Sequence, residues 1–274
     1  MTNKTNTHIN VGESKYWCEK SGAGDPIILL HGFTGSTDTW TSFVSQLDTS
    51  FQVIAIDLPG HGKTCVSEPK SMEDCCHDLK KIIDQLGYKK IHLLGYSMGG
   101  RTALSFAMMY PELINMLVLE SASPGLENEN DAYERAAKDK RLSERLQNDG
   151  LESFVEFWEN IPLFDTQKKL PLSTRQKIKQ ERLSQKAEGL AMSLTSMGTG
   201  VQPSWWDRLE TFTSPVLLLA GEADHKFINI NKQMSNRLPN SNLVIVKNAG
   251  HAIHVEESEI FGKIVSEFLL DQTT

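Results

Sequence analysis

Two rhythms of apolar residues alternate along the chain. Runs dominated by apolar side chains at 26–30, 51–56, 91–94, 116–120, 215–220 and 242–246 have the length and character of buried strands. Between them, apolar residues return at the 3.6-residue period of a helix. One set is Trp40, Phe43, Val44 and Leu47; a second is Met72, Cys75, Leu79, Ile82, Ile83 and Leu86; a third is Ala103, Leu104, Phe106, Ala107 and Met108. Helices are also expected at 229–238 and 256–270, and residues 7–19 read as an edge hairpin about Gly12-Glu13. Strands that are apolar throughout, alternating with one-sided helices, specify an α/β fold. Its central sheet is mainly parallel and flanked by helices on both faces.

The alternation stops between residues 125 and 208. Only helical, charge-rich patterns occur there: 127–148, a second segment holding Phe154, Phe157 and Trp158, a third over 175–185 and a fourth over 187–197. This stretch follows the sixth strand and reads as a helical cap over the carboxyl edge of the sheet. Residues 1–124 and 209–274 then form the core of the same domain. Trp158 and the pair Trp205-Trp206 are large apolar surfaces in this region, each more often core than ligand contact.

The chemistry starts at Gly95-Tyr96-Ser97-Met98-Gly99, where an apolar run ends and a helical pattern begins. A serine with glycines two residues to either side, in a strand–turn–helix context, is a nucleophile elbow. The tight turn exposes the hydroxyl beside a helix N-terminus. Asp224 follows the run at 215–220 and His251 follows the run at 242–246, so both belong to the same sheet edge as Ser97. In that order the three form a serine–histidine–aspartate set, in which the imidazole takes a proton and the carboxylate fixes its tautomer. Glu120 is an alternative acid and His254 an alternative base. His31-Gly32-Phe33 ends another strand at this edge and suits an oxyanion loop, with the Phe33 and Met98 N–H groups aimed at one oxygen. His31 itself, and Asp57-Leu58-Pro59-Gly60-His61-Gly62, read as loop-holding rather than chemical elements. No histidine pair has metal-ligand spacing.

Composition removes several classes. A chain of 274 residues with 39% hydrophobic content can bury one sizeable core. A net charge of −7 argues against nucleic acid as a partner but leaves room for an anionic small molecule held by a few local cations. No apolar run approaches the roughly 20 residues of a membrane span, and residues 1–10 lack the apolar centre of a signal peptide. Cys18, Cys65, Cys75 and Cys76 suit reduced thiols in a cytoplasmic protein.

Arg101, four residues after the elbow serine, departs from an ordinary hydrolase, because a guanidinium on the first turn of that helix can grip a carboxylate bidentately. Taken with His31-Gly32, the loop at 57–62, Ser97, Asp224 and His251, the sequence resembles the α/β-hydrolase superfamily over nearly its whole length. Leu30 to Gly35, Gly95 to Arg101, Pro124-Gly125-Leu126, Arg135, Phe157-Trp158, Arg182, Val201-Gln202-Pro203 and Gly221 to Phe227 narrow this. They resemble the 2-succinyl-6-hydroxy-2,4-cyclohexadiene-1-carboxylate synthases of menaquinone biosynthesis. The resemblance implies a lyase that eliminates pyruvate from 2-succinyl-5-enolpyruvyl-6-hydroxy-3-cyclohexene-1-carboxylate, a substrate with three carboxylates. It makes Ser97, supported by His251 and Asp224, the base. It also makes Arg101, Arg135 and Arg182 carboxylate ligands, places Tyr96 and Trp158 along the pocket, and requires no cofactor. A serine hydrolase of esters or carbon–carbon bonds is the competing reading, and a non-catalytic binding protein of the same fold is a third. The sequence leaves the oligomeric state open.

Overall fold

A computed structural model describes residues 4–47 and 50–270. The first three residues of the polar N-terminal stretch lie outside the described part. Eight strands form one sheet in the order β1-β2-β4-β3-β5-β6-β7-β8. They are β1 (Thr5–Val11), β2 (Ser14–Gly22), β3 (Asp25–Leu30), β4 (Phe51–Ile56), β5 (Ile91–Tyr96), β6 (Ile114–Glu120), β7 (Val216–Gly221) and β8 (Ser241–Val246). The β1–β2 and β2–β4 pairings are antiparallel, and every pairing from β3–β4 to β7–β8 is parallel. The expected hairpin is therefore present, with β1 as the edge and β2 already inside the sheet.

Alternating residues of the strands feed two cores, which is why these strands are apolar throughout. Ile28 and Leu30 of β3 face one side, against α2 (Met72–Gln85), α3 (Met98–Met109) and α7 (His225–Arg237). Ile27 and Leu29 face the other, with Trp40, Phe43 of α1 (Thr41–Gln46), and Phe261 and Val265 of the C-terminal helix. Both cores end at the strands' carboxyl edge, where the loops carrying the site emerge.

Between β6 and β7 the chain is helical, in α4 (Glu129–Glu159), α5 (Leu172–Leu183) and α6 (Ala187–Ser196). α4 is broken at Gly150 (φ 79°, ψ 170°), which separates the two helices read from the sequence. A 3-10 turn at Pro162–Lys169 escaped the periodicity argument because its apolar positions do not follow a 3.6-residue repeat. Leu146, Phe154, Leu190 and Leu194 give this segment a small core of its own, against which Phe33 packs. Its two ends are tied together: Trp205 N–H donates to Pro124 O at 2.8 Å and Trp206 Nε1–H to Gly125 O at 3.1 Å. Trp206 belongs to the main core beside Leu209 and Phe212.

Two helices differ from their expected bounds for local reasons. α7 starts at His225 rather than 229 because the Asp224 side chain caps it, accepting from Phe227 N–H at 3.3 Å. The last helical stretch divides into α8 (Ile253–Glu256) and α9 (Ser258–Leu270) because Glu257 leaves the helical region (φ −133°, ψ 55°). Among the described residues no helix is long and apolar enough to cross a membrane.

Candidate active site

Ser97 joins β5 to α3 at φ 51°, ψ −107°, a conformation an L residue adopts only under strain. The flanking glycines are demanded by contact distances. A Cβ at Gly95 would sit 2.2 Å from Gly99 O, and one at Gly99 would sit 2.1 Å from Leu30 O. The turn is pinned from both sides by Ser97 N–H to Glu120 O at 2.8 Å and Arg101 N–H to Ser97 O at 2.9 Å.

The side chain of Ser97 meets His251 Nε2 at 2.9 Å, and His251 Nδ1 meets Asp224 Oδ2 at 2.7 Å. A carboxylate only accepts, so Nδ1 carries the hydrogen and the Nε2 lone pair faces the serine hydroxyl. His251 is nearly fully buried, with the rings of Phe227 and Tyr96 at 4.8 and 5.4 Å. The alternative acid and base engage each other: Glu120 places both carboxylate oxygens 2.9 Å from His254 Nδ1 and also accepts from His254 N–H. His31 donates from Nδ1 to Gly32 O and accepts at Nε2 from Leu58 N–H, which joins β3 to the loop after β4. Asp57 accepts from Thr37 and Lys63 N–H at 2.6 and 2.8 Å and so holds that loop rigid.

A cavity opens beside the serine. Ser97, His251, Phe33 and Met98 line it together with Arg101, Arg135, Lys226 and Trp158. Met98 is the first residue of α3, so its N–H has no partner within the helix and is available to an oxygen in the cavity. Arg101 Nη1 donates to Met197 O at 2.9 Å and to Gln202 Oε1. Burial and the nearby Arg135 pull its pKa down to about 10, which leaves it charged at neutral pH. Burial also lowers the pKa of Lys226.

Two residues expected in the pocket lie outside its lining. Tyr96 is buried between Gly32 and the ring of His254, at 4.6 Å. Arg182 is buried with its guanidinium 4.7 Å over the Phe164 ring and Nη2 donating to Gln167 Oε1 at 3.2 Å. Conversely, Lys226, Ser121 and Asp139 line the cavity and were not singled out. Lys226 carried a usable signal, since it lies two residues past Asp224 where α7 begins at the sheet edge. Ser121, directly after β6 at φ 49° with its hydroxyl buried and unpartnered, carried none. Among the described residues no cluster of metal-ligating side chains occurs.

The family model for the alpha/beta hydrolase fold matches residues 25–258. A Bacillus subtilis protein provisionally named 2-succinyl-6-hydroxy-2,4-cyclohexadiene-1-carboxylate synthase is 48% identical, over 92% of each chain. A synthase of that name from Citrobacter koseri is 32% identical, over 85% of this chain and 89% of its own. Among solved structures, MenH from S. aureus superposes with a TM-score of 0.89 at 37% identity, covering 96% of this chain and 100% of its own. A thermophilic esterase from Thermogutta terrifontis, with malate bound, gives 0.85 at 28% identity and 98% coverage of each.

Proposed function

The chain belongs to the α/β-hydrolase fold family, and from that premise we propose how it acts as a 2-succinyl-6-hydroxy-2,4-cyclohexadiene-1-carboxylate synthase. It is a lyase of menaquinone biosynthesis, and we place it in the cytoplasm. The substrate has a 3-ene ring and the product a 2,4-diene. The hydrogen lost is therefore the one on ring C2, beside the succinyl carbonyl, and the group expelled is the enolpyruvyl ether at C5.

The residues divide this 1,4-elimination between them. His251 Nε2 accepts the Ser97 hydroxyl hydrogen, Asp224 stabilises the resulting imidazolium, and the Ser97 oxygen takes the C2 hydrogen. The electron pair moves into the succinyl carbonyl, whose oxygen the Phe33 and Met98 N–H groups hold; each such donor is typically worth about 3 kcal/mol in the transition state. Return of that pair shifts the ring double bond and expels enolpyruvate, which ketonises to pyruvate. Arg101 and Arg135, with Lys226 beside them, meet the carboxylates, and Trp158 covers the ring. Arg182 and Tyr96 act from behind: Arg182 braces Phe164, and Tyr96 braces His251. Residues 125–208, tied at their ends by the Trp205 and Trp206 bonds, act as the lid of a core made of 1–124 and 209–274.

The observation that carries this reading is the set of cations Arg101, Arg135 and Lys226 lining the same cavity as Ser97 and His251, whose hydrogen-bond chain to Asp224 is intact. An ester hydrolase needs the chain of hydrogen bonds but not the cations. The two readings also differ in what Ser97 becomes, because acyl transfer passes through an ester on the serine and elimination does not. We expect pyruvate from the enolpyruvyl substrate, no mass increment on Ser97 in rapid-quench spectra, and a slower rate with deuterium at C2. Ser97→Ala should lose about 10²- to 10⁴-fold in kcat. A burst of acyl-Ser97 from aryl esters, with no pyruvate from the enolpyruvyl substrate, would establish the hydrolase instead.

A further inference from the structure

The cavity that gathers cations also contains a carboxylate, Asp139, in a place where a second anion would be repelled. Asp139 is 2% exposed on α4, and its Oδ1 accepts from Arg135 Nε at 2.9 Å, one helical turn earlier. Its other oxygen, Oδ2, is buried without a hydrogen-bond partner. The space for it is kept by Gly198, where a Cβ would lie 2.7 Å from Oδ2. Burial of this kind does not resemble an ordinary surface pair one turn apart, in which both partners remain solvated. The influence of Asp139 extends past Arg135, since it favours the charged forms of Arg101 and Lys226 against their burial.

We infer that Asp139 is a positioning residue for Arg135, holding the guanidinium from its Nε side so that the two terminal nitrogens face the cavity end-on. A planar guanidinium offers two edges to carboxylates, and Asp139 occupies the one containing Nε. The substrate carboxylate is left the Nη1–Nη2 edge, in a fixed plane, with the rotamer freedom of a long side chain already restricted. The same negative charge lets Arg101, Arg135 and Lys226 share one cavity before substrate arrives. The role belongs to the proposed site and rests on the reading that Arg135 meets a carboxylate.

The test is a double-mutant cycle of wild type, Asp139→Asn, Arg135→Ala and the double variant, each followed by pyruvate release, succinate affinity and Tm. We expect Asp139→Asn to raise KM and weaken succinate binding about 10-fold, with kcat changed less than about 3-fold and Tm nearly unchanged. The double variant should be at most about 2-fold worse than Arg135→Ala alone, because the bond to Arg135 is the main route by which Asp139 acts and its charge on Arg101 and Lys226 adds little. If the amide unsettles the fold, Asp139→Ser removes the charge, leaves room for water and is read in the same way. Losses that multiply, an unchanged KM, or a KM that falls because a repelling anion has gone would each overturn the inference. A wild type that releases no pyruvate would sink the lyase reading separately, and the succinate cycle would still judge Asp139.

Discussion

At the scale of single residues, the site depends on a few side chains whose hydrogen bonds fix where their charge sits. Arg101 is held by Met197 O and Gln202 Oε1, both from the segment that returns toward β7, so one guanidinium links α3 to that segment and faces the cavity. Arg101→Ala should lose roughly 1.5–3 kcal/mol of charge-assisted bonding, about 10- to 150-fold in kcat/KM. Arg101→Lys should recover only part of it, since a point charge cannot hold two oxygens and a carboxylate together. Equal kcat/KM in wild type and both variants would leave Arg101 only the structural role of linking α3 to that segment. The strain at Ser97 gives a second measurement: Ser97→Gly should be more stable than Ser97→Ala by about 1 kcal/mol in urea melts, because only glycine tolerates that turn freely. Ser97, Asp224 and His251 were legible in the sequence because a strained elbow and two strand ends impose fixed local patterns. Asp139 was not, because a carboxylate on a charged helix looks the same whether solvated or buried. Arg182 and Tyr96 came only from resemblance, and the structure sets both one layer behind the cavity wall.

At the scale of elements, the decisive contact is the close approach of α3 to the end of β3. Gly99 allows it, and Gly99→Ala would drive a Cβ to 2.1 Å from Leu30 O, a backbone atom that cannot rotate away. We expect a loss of about 3 kcal/mol or more in unfolding free energy, together with loss of activity as the Met98 N–H swings off target. Gly150 offers the contrasting case. Unlike Gly99 it has positive φ, but a Cβ there would meet nothing within 4 Å. Gly150→Ala should cost only on the order of 1 kcal/mol of backbone strain and leave kcat/KM within about 2-fold. If the two variants had similar urea midpoints, the argument from close approach would be wrong. The central strands β3 to β7 were legible because both of their faces are buried, which makes most of their positions apolar. The 3-10 turn at Pro162–Lys169 and the break at Glu257 were not, since each is set by tertiary packing rather than by a repeat.

At the scale of the whole molecule, a chain of net charge −7 concentrates its useful cations in one cavity and buries two histidines outside that cavity's lining, one of them against the lining residue Phe33. His31 and His61 lie with ring centroids 5.1 Å apart, both essentially unexposed, beside Phe33. Burial pulls His31 down to about 4, against a weaker opposing effect of its bond to Gly32 O. Burial and the neighbouring His31 pull His61 down to about 3. In the unfolded chain both would take a proton near pH 6.5. Between about pH 6.5 and 4 the unfolded state therefore binds more protons than the folded one. Stability from these two groups is complete above pH 6.5 and is lost as the pH falls through that window. Two histidines each contribute up to about 1.4 kcal/mol per pH unit, so going from pH 7.5 to 5.5 should remove about 3 kcal/mol of unfolding free energy. The result requires only that both folded values lie below about 5. Asp57, whose pKa burial raises, works in the opposite sense, its folded form taking up a proton before the unfolded one as the pH falls. Urea melts at the two pH values, with calorimetric proton uptake on unfolding at pH 5.5, measure the effect directly. A flat profile with no uptake would mean that water reaches these rings. The His31 bridge from Gly32 O to Leu58 N–H could then no longer be credited with holding the oxyanion loop in place.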